Sequence, residues 1–242
     1  MQNLMKKALK TAALVGTLHL VGVVQAAGVP GQGTWETTLQ ARDLDGNLAN
    51  GPEAFYDTAL NVTWLRAANT SAMDWSAAKA WAEQDCFGLS GWRLPTTVDK
   101  GSDGCNWSYT GGTDCGYNPD SSVATGSEMA HLFFQSLGNK SAYVPGTTTP
   151  QPGYGLTNSG DFQNLQSNVY WSGTESAPNS NIAFSFVTVS GYQDVYYNYN
   201  YLYSLAVRPG DVTSAVPEPQ TLALTLCGLT GLLLARRHQR AL

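Results

Sequence analysis

The sequence predicts an α+β domain with two helices and antiparallel strands. Three observations carry this. Helical spacing appears twice before the middle third of the chain ends, over residues 74–85 and 127–137. Strict alternation appears late, from Ile182 to Ser190. Turn residues bracket each of these segments, and no long internal repeat is visible.

The elements follow in chain order. Tyr56-Asp57-Thr58 and Val62-Thr63-Trp64-Leu65 read as strands around a turn at Asn61. Over 74–85, Asp74 caps a helix whose Trp75, Ala78 and Ala82 recur on one face, and Gly88 to Gly91 end it. Pro95 disfavours helix at Leu94, so Trp92-Arg93-Leu94 is extended. Residues 97–126 are rich in Gly, Ser, Asp and Asn and read as an ordered loop insertion. Ser127 caps the second helix; Met129, Leu132, Phe133 and Leu137 face the core, and Gly138-Asn139 stop it. Val169 to Ser172 is a strand. In Ile182–Ser190, Phe184, Phe186 and Thr188 share one face and Ser185, Val187 and Val189 the other, and Gly191 turns the chain. Tyr203 to Arg208 closes the domain, and Pro209-Gly210 end that strand.

The ends imply export. Lys6, Lys7 and Lys10 precede an apolar stretch from Thr11 to Val24, and Val24 and Ala26 suit signal peptidase. Residues 1–26 are therefore expected to be a signal peptide. At the other end, Thr221 to Ala235 carries no charge. Fifteen helical residues reach only ~22 Å, short of a ~30 Å hydrocarbon core. Arg236, Arg237 and Arg240 extend the reach by snorkelling and stay cytoplasmic. A transmembrane helix is expected over about 220–235. Val216-Pro217-Glu218-Pro219, an apolar helix and Arg236-Arg237, in that order, resemble the PEP-CTERM sorting signal of Gram-negative bacteria, here over 215–242. The resemblance implies processing by exosortase, a membrane-embedded cysteine protease or transpeptidase. The two prolines hold the segment extended, the form a protease grips.

Composition narrows the partners of the body between the ends. It holds 17 acidic and seven basic side chains, a formal charge of −10. That balance argues against nucleic acid and against anionic lipid. About 190 residues suit one domain with its own core. Of its three cysteines, an oxidising compartment leaves one spare. Cys105 and Cys115, closing a short Gly-containing loop, are the expected bridge, although spacing alone leaves connectivity open. Cys86 follows the first helix and is expected to be buried.

No catalytic set emerges. His131 shares a helix face with Glu128, half of a di-metal carboxylate motif, and the other half is missing. No nucleophile–base pair or phosphate loop is present. Asp43-Leu44-Asp45-Gly46-Asn47 has calcium-loop spacing, but Leu48 and Ala54 stand where an EF-hand needs Gly and Glu. Asp99, Asp103, Asp114 and Asp120 crowd the insertion and are weak Ca²⁺ candidates; no other cofactor is expected. Trp107, Tyr109 and Tyr117 on the insertion, with Tyr196, Tyr199 and neighbouring tyrosines, are candidate sugar-stacking residues beside Asn and Asp.

Five segments in order, YDTALNVTWL, GWRLPT, TGSEMAHLF, YWSGTE and YSLAVRPGDV, resemble the Lcl C-terminal (Lcl_C) domain of bacterial surface proteins. The resemblance covers most of 27–212. It implies a C-type-lectin-like fold and, in some members, adhesion or glycan binding, with no common catalytic set. The long cysteine-containing insertion at 97–126 departs from the pattern. The expectation is an exported, non-enzymatic surface or matrix protein that binds extracellular polysaccharide. A metal-dependent enzyme on the acidic insertion and a passive matrix protein are the alternatives.

Overall fold

The computed structural model describes residues 33–99, 107–108, 114–117, 126–144, 146–177 and 179–212. Two sheets and two principal helices make an α+β domain. The first sheet runs β1 (Leu39–Arg42), β2 (Ala54–Asp57), β3 (Val62–Leu65), β9 (Val207–Pro209), antiparallel throughout. A one-turn helix, α1 (Trp35–Thr38), precedes it. The hairpin between β2 and β3 turns at Asn61, whose φ of 53° is one Asn tolerates. Tyr56 Oη donates to Asn61 Oδ1, and Asp57 Oδ1 accepts from the N–H groups of Ala59 and Leu60. β9 comes from the far end of the domain and pairs Val207 with Trp64. Arg42 adds a second tie there through Asp211, and this hydrogen bond holds the Asp211 carboxyl below its ordinary pKa.

The second sheet has the order β4 (Trp107–Ser108), β5 (Cys115–Gly116), β8 (Tyr192–Tyr197), β7 (Ile182–Val187), β6 (Val169–Glu175). β4 and β5 are parallel; the other pairs are antiparallel. Gly191 turns β7 into β8 with φ of 70°, and a Cβ there would lie 2.8 Å from the Phe134 ring.

Both expected helices form. α2 spans Trp75–Ala82, with Asp74 Oδ1 accepting from Ala77 N–H and Trp75, Ala78 and Ala82 buried. α3 (Glu128–His131) is capped by Ser127, whose Oγ accepts from Ala130 N–H. It continues as a π-helical turn over Leu132–Ser136. Met129, Leu132, Phe133 and Leu137 are all buried, as their spacing requires.

The core lies on both sides of β3. Val62 and Trp64 join Phe55, Phe133, Tyr170 and Phe186 on one side. Leu65 joins Trp75, Trp92, Leu94 and Trp171 on the other. A strand buried on both faces reads as VTWL, with little room for polar alternation. The same holds for β7. Phe184, Ser185 and Phe186 are all buried, so both faces of the strand are inside at its middle. Of Ser185, Val187 and Val189 on its second face, only Val189 is exposed, beyond the end of the strand.

The insertion leaves and returns at one neck. Thr97 bridges Ser127, and Val98 N–H donates to Gly126 O. Cys86 is a free thiol, half-buried at the edge of the Leu65 side of the core rather than fully inside. Cys115 is disulfide-bonded. The expected partner Cys105 lies outside the described residues, as do the expected signal peptide, sorting segment and transmembrane helix. Among the described residues, no helix is long and apolar enough to cross a membrane.

Candidate functional site: an aromatic-walled groove

An open groove of about 700 Å³ lies beside the first sheet, between the 50–53 loop, the 66–73 segment and the end of α2. Its floor is the chain leaving β3. That chain is held by backbone bonds to three separate segments. Arg66 N–H donates to Glu53 O, Ala68 N–H to Gln163 O, and Asn69 N–H to Ser204 O. The Asn69 side chain reinforces this by accepting from Ser204 N–H and donating to Ser71 O. Arg66 braces two loops, with Nε on Asp161 O at 3.1 Å and Nη1 on Pro52 O at 3.2 Å. A floor tied in so many places is preorganised, which lowers the entropic cost of binding.

Two aromatic residues make the wall. Trp81 sits on α2, off the stripe that Trp75, Ala78 and Ala82 bury, and is half-buried. Phe87 lies in a tight hairpin, where Cys86 and Leu89 exchange both backbone hydrogen bonds. Phe87 and Gly88 have φ of 56° and 73°, the signature of a type I′ turn. Asn or Asp is the usual residue there. A bulky side chain in the left-handed region costs ~1–2 kcal/mol. Phe87 carries that cost and is also 49% exposed. Backbone strain that presents an exposed ring at a groove is a pointer to function. The polar lining includes Asn50, Thr70 and Gln163, whose exposed side chains offer amide and hydroxyl groups.

Glu53 also lines the groove, and its Oε2 accepts from Leu44 N–H. With Asp43 and Asp45 it brings three carboxylates within 4.8 Å. Local N–H donors already engage them, from Gly46 to Asp43 and from Asn47 to Asp45. Asn50 donates to Asp45 as well, and this bond leads the causes that lower the Asp45 pKa.

The residues singled out from the sequence have mixed fates. Tyr117 is a core residue, 6% exposed, its ring packed edge-on against Tyr143 and Tyr192. A ring so enclosed has no face for a sugar. Tyr196 is half-buried against the second core cluster. Tyr199 is 69% exposed, and its ring stacks on Tyr197 at 5.3 Å and 10°. Trp107 contributes backbone to β4, and Tyr109 lies outside the described residues. Among the calcium candidates, Asp114 is 1% exposed, with Oδ1 accepting from Cys115 N–H. Asp99 Oδ2 accepts from Ala177 N–H, fastening the neck to the loop after β6. Asp103 and Asp120 lie outside the described residues. The described acidic grouping is thus at Asp43, Asp45 and Glu53, and includes neither Asp99 nor Asp114.

The groove itself is not visible in the sequence pattern. Its residues come from five places in the chain, between Asn50 and Gln163. Two signals exist: a tryptophan off the buried stripe of a helix, and a phenylalanine before glycine in a tight turn. No protein-family model, curated protein or solved structure matches the chain.

Proposed function

We propose that this is an exported, exosortase-sorted surface or matrix protein whose body binds extracellular polysaccharide without catalysis. The observation that carries the binding reading is the groove walled by Trp81 and Phe87. Ring faces pack against the apolar faces of sugars, while amides and hydroxyls take sugar hydroxyls. The acidic body disfavours nucleic acid and anionic lipid as ligands. In this reading the domain is of the Lcl_C type with a C-type-lectin-like architecture, and Cys115 is bridged to Cys105. The resemblance of the five sequence segments supports that architecture.

Isothermal titration of the exported body with the neutral polysaccharide of the producing cell tests the binding reading. Trp81→Ala is expected to weaken binding about tenfold, the loss of one stacked ring worth ~1.4 kcal/mol. No heat of binding for the wild-type body would leave a passive matrix role. Metal-dependent turnover of the polysaccharide would move the reading to an enzyme.

The sorting reading has its own test. Intact mass is measured on protein from the native host and from a strain lacking exosortase. Loss of the tail from near Val216 only when exosortase is present is the expected result. A full-length tail in both strains would leave a membrane-anchored domain.

A further inference from the structure

We infer that the groove continues past Met73 onto the Tyr197–Tyr201 segment, and that the two form one track for a long, neutral, linear polysaccharide. This rests on the groove being the sugar site and adds what kind of ligand fills it. The junction is fixed by backbone. Met73, which lines the groove, exchanges both hydrogen bonds with Leu202, at 2.9 and 3.0 Å. Two residues on, Trp75 N–H donates to Asn198 O at 3.0 Å. The tyrosine segment therefore lies along the Met73 flank of the groove.

Its side chains face outward. Leu202 is 7% exposed and its neighbour Tyr201 is 70% exposed, as alternation along an extended chain requires. Tyr197, Tyr199 and Tyr201 are all among the most exposed large hydrophobic residues described. Three aromatic rings in five residues, left in water, mark a binding surface. The stacking of Tyr197 on Tyr199 fixes those two rings before any ligand arrives, so little rotamer entropy is lost on binding.

The chemistry of the segment selects the ligand. Val195 to Tyr203 contains no charged residue, and Asn198 and Asn200 alternate with the rings. Rings interleaved with amides suit a neutral chain of sugars. A ligand bound along groove and segment together must be longer than one that fills the groove alone.

The test uses the exported body and the neutral polysaccharide of the producing cell, partly hydrolysed and separated by size. Affinity is expected to rise with oligosaccharide length beyond the length that fills the groove. Tyr199→Ala combined with Tyr201→Ala is expected to remove that gain, about tenfold, and to leave the shortest binding oligosaccharide at its wild-type affinity. Both residues are exposed, so the variant keeps its fold, checked by its melting temperature. Equal affinity of short and long oligosaccharides would overturn the track while leaving the groove reading intact. A tyrosine variant that keeps the length gain would overturn the track in the same way. No binding at any length would overturn the groove reading and the track with it.

Discussion

Replacing Glu128 with alanine is expected to destabilise the domain by about 3 kcal/mol. Glu128 is 8% exposed at the first turn of α3, and its carboxylate is fully used. Arg93 Nη1 and Nη2 hold its two oxygens at 2.7 and 2.8 Å, and Thr96 N–H donates to Oε2 at 2.7 Å. Removing one partner of a buried pair costs ~3–5 kcal/mol because the other charge is stranded. The Arg93 side chain is 30% exposed, so water screens the stranded guanidinium and the low end applies. In a domain of this size that is a fall of roughly 6–12 °C in Tm. Glu128→Gln keeps an acceptor for Thr96 and is expected to lose less. Replacing both partners with apolar residues is expected to recover most of the loss, because no charge is left unpaired. Urea unfolding of the three variants checks this. A single Glu128→Ala variant within 0.5 kcal/mol of wild type, roughly the range of a surface substitution, would show that the pair is only a surface contact.

That pair explains why two distant sequence segments act together. GWRLPT supplies Arg93 and Thr96, and TGSEMAHLF supplies Glu128 and its cap Ser127. The chain from Thr97 to Gly126 lies between them in sequence. Glu128 N–H donates to Thr96 O, and Thr97 bridges Ser127, so the neck is closed by the same few residues. The chain between comes back to the core, where Cys115 and Tyr117 are buried and Gly116 pairs with Gln193 of β8.

What the sequence revealed was whatever depends on neighbours in the chain. Asp74 and Ser127 were readable as caps because capping is local: a side-chain oxygen meets an N–H three residues on. The buried face of α3 was readable from spacing, and the turns at Asn61 and Gly191 from the conformations those residues tolerate. β8 was not readable. Tyr192 to Tyr197 mixes Gln, Asp and Tyr and looks like polar turn sequence. It is a strand because β7 and β5 supply partners on both sides, which no local pattern reports. Gln193 in its middle is fully buried, with Nε2 donating to Asp114 O at 3.0 Å. Asp194 is half-buried beside it, and burial raises its pKa. Two residues that read as solvent-facing are thus inside because of contacts made by chain far away. The π-helical turn after α3 is of the same kind, a register set by packing. The groove fails to appear for the same reason, since its floor exists only once Ser204 and Gln163 have been brought to the chain leaving β3.

Removing both groove rings, by Phe87→Gly with Trp81→Ala, is expected to weaken polysaccharide binding about a hundredfold, ~2.7 kcal/mol. The two substitutions should differ sharply in what they do to stability. Trp81 is half-buried against the second core cluster, so its loss leaves a gap and lowers the Tm. Phe87 is different. Its ring is 49% exposed and contributes little burial, while its backbone sits in the left-handed region at φ of 56°. Glycine adopts that region freely, and relief of ~1–2 kcal/mol offsets the greater freedom it gives the unfolded chain. Phe87→Gly alone is therefore expected to leave the Tm unchanged or slightly raised while weakening binding about tenfold. Phe87→Asn, which also tolerates the turn, is expected to behave likewise. A residue kept for the fold would show the opposite pair of results, with stability lost and binding intact. Calorimetric melting and titration of the same preparations separate the two. If Phe87→Gly melts well below wild type, the hairpin needs its ring for packing and the strain has no bearing on ligand. If it melts as wild type and binds as wild type, the groove does not use Phe87, and Trp81 alone is left to carry the site. Stability held with binding lost would mean that this chain tolerates a strained phenylalanine because the ring must face a ligand.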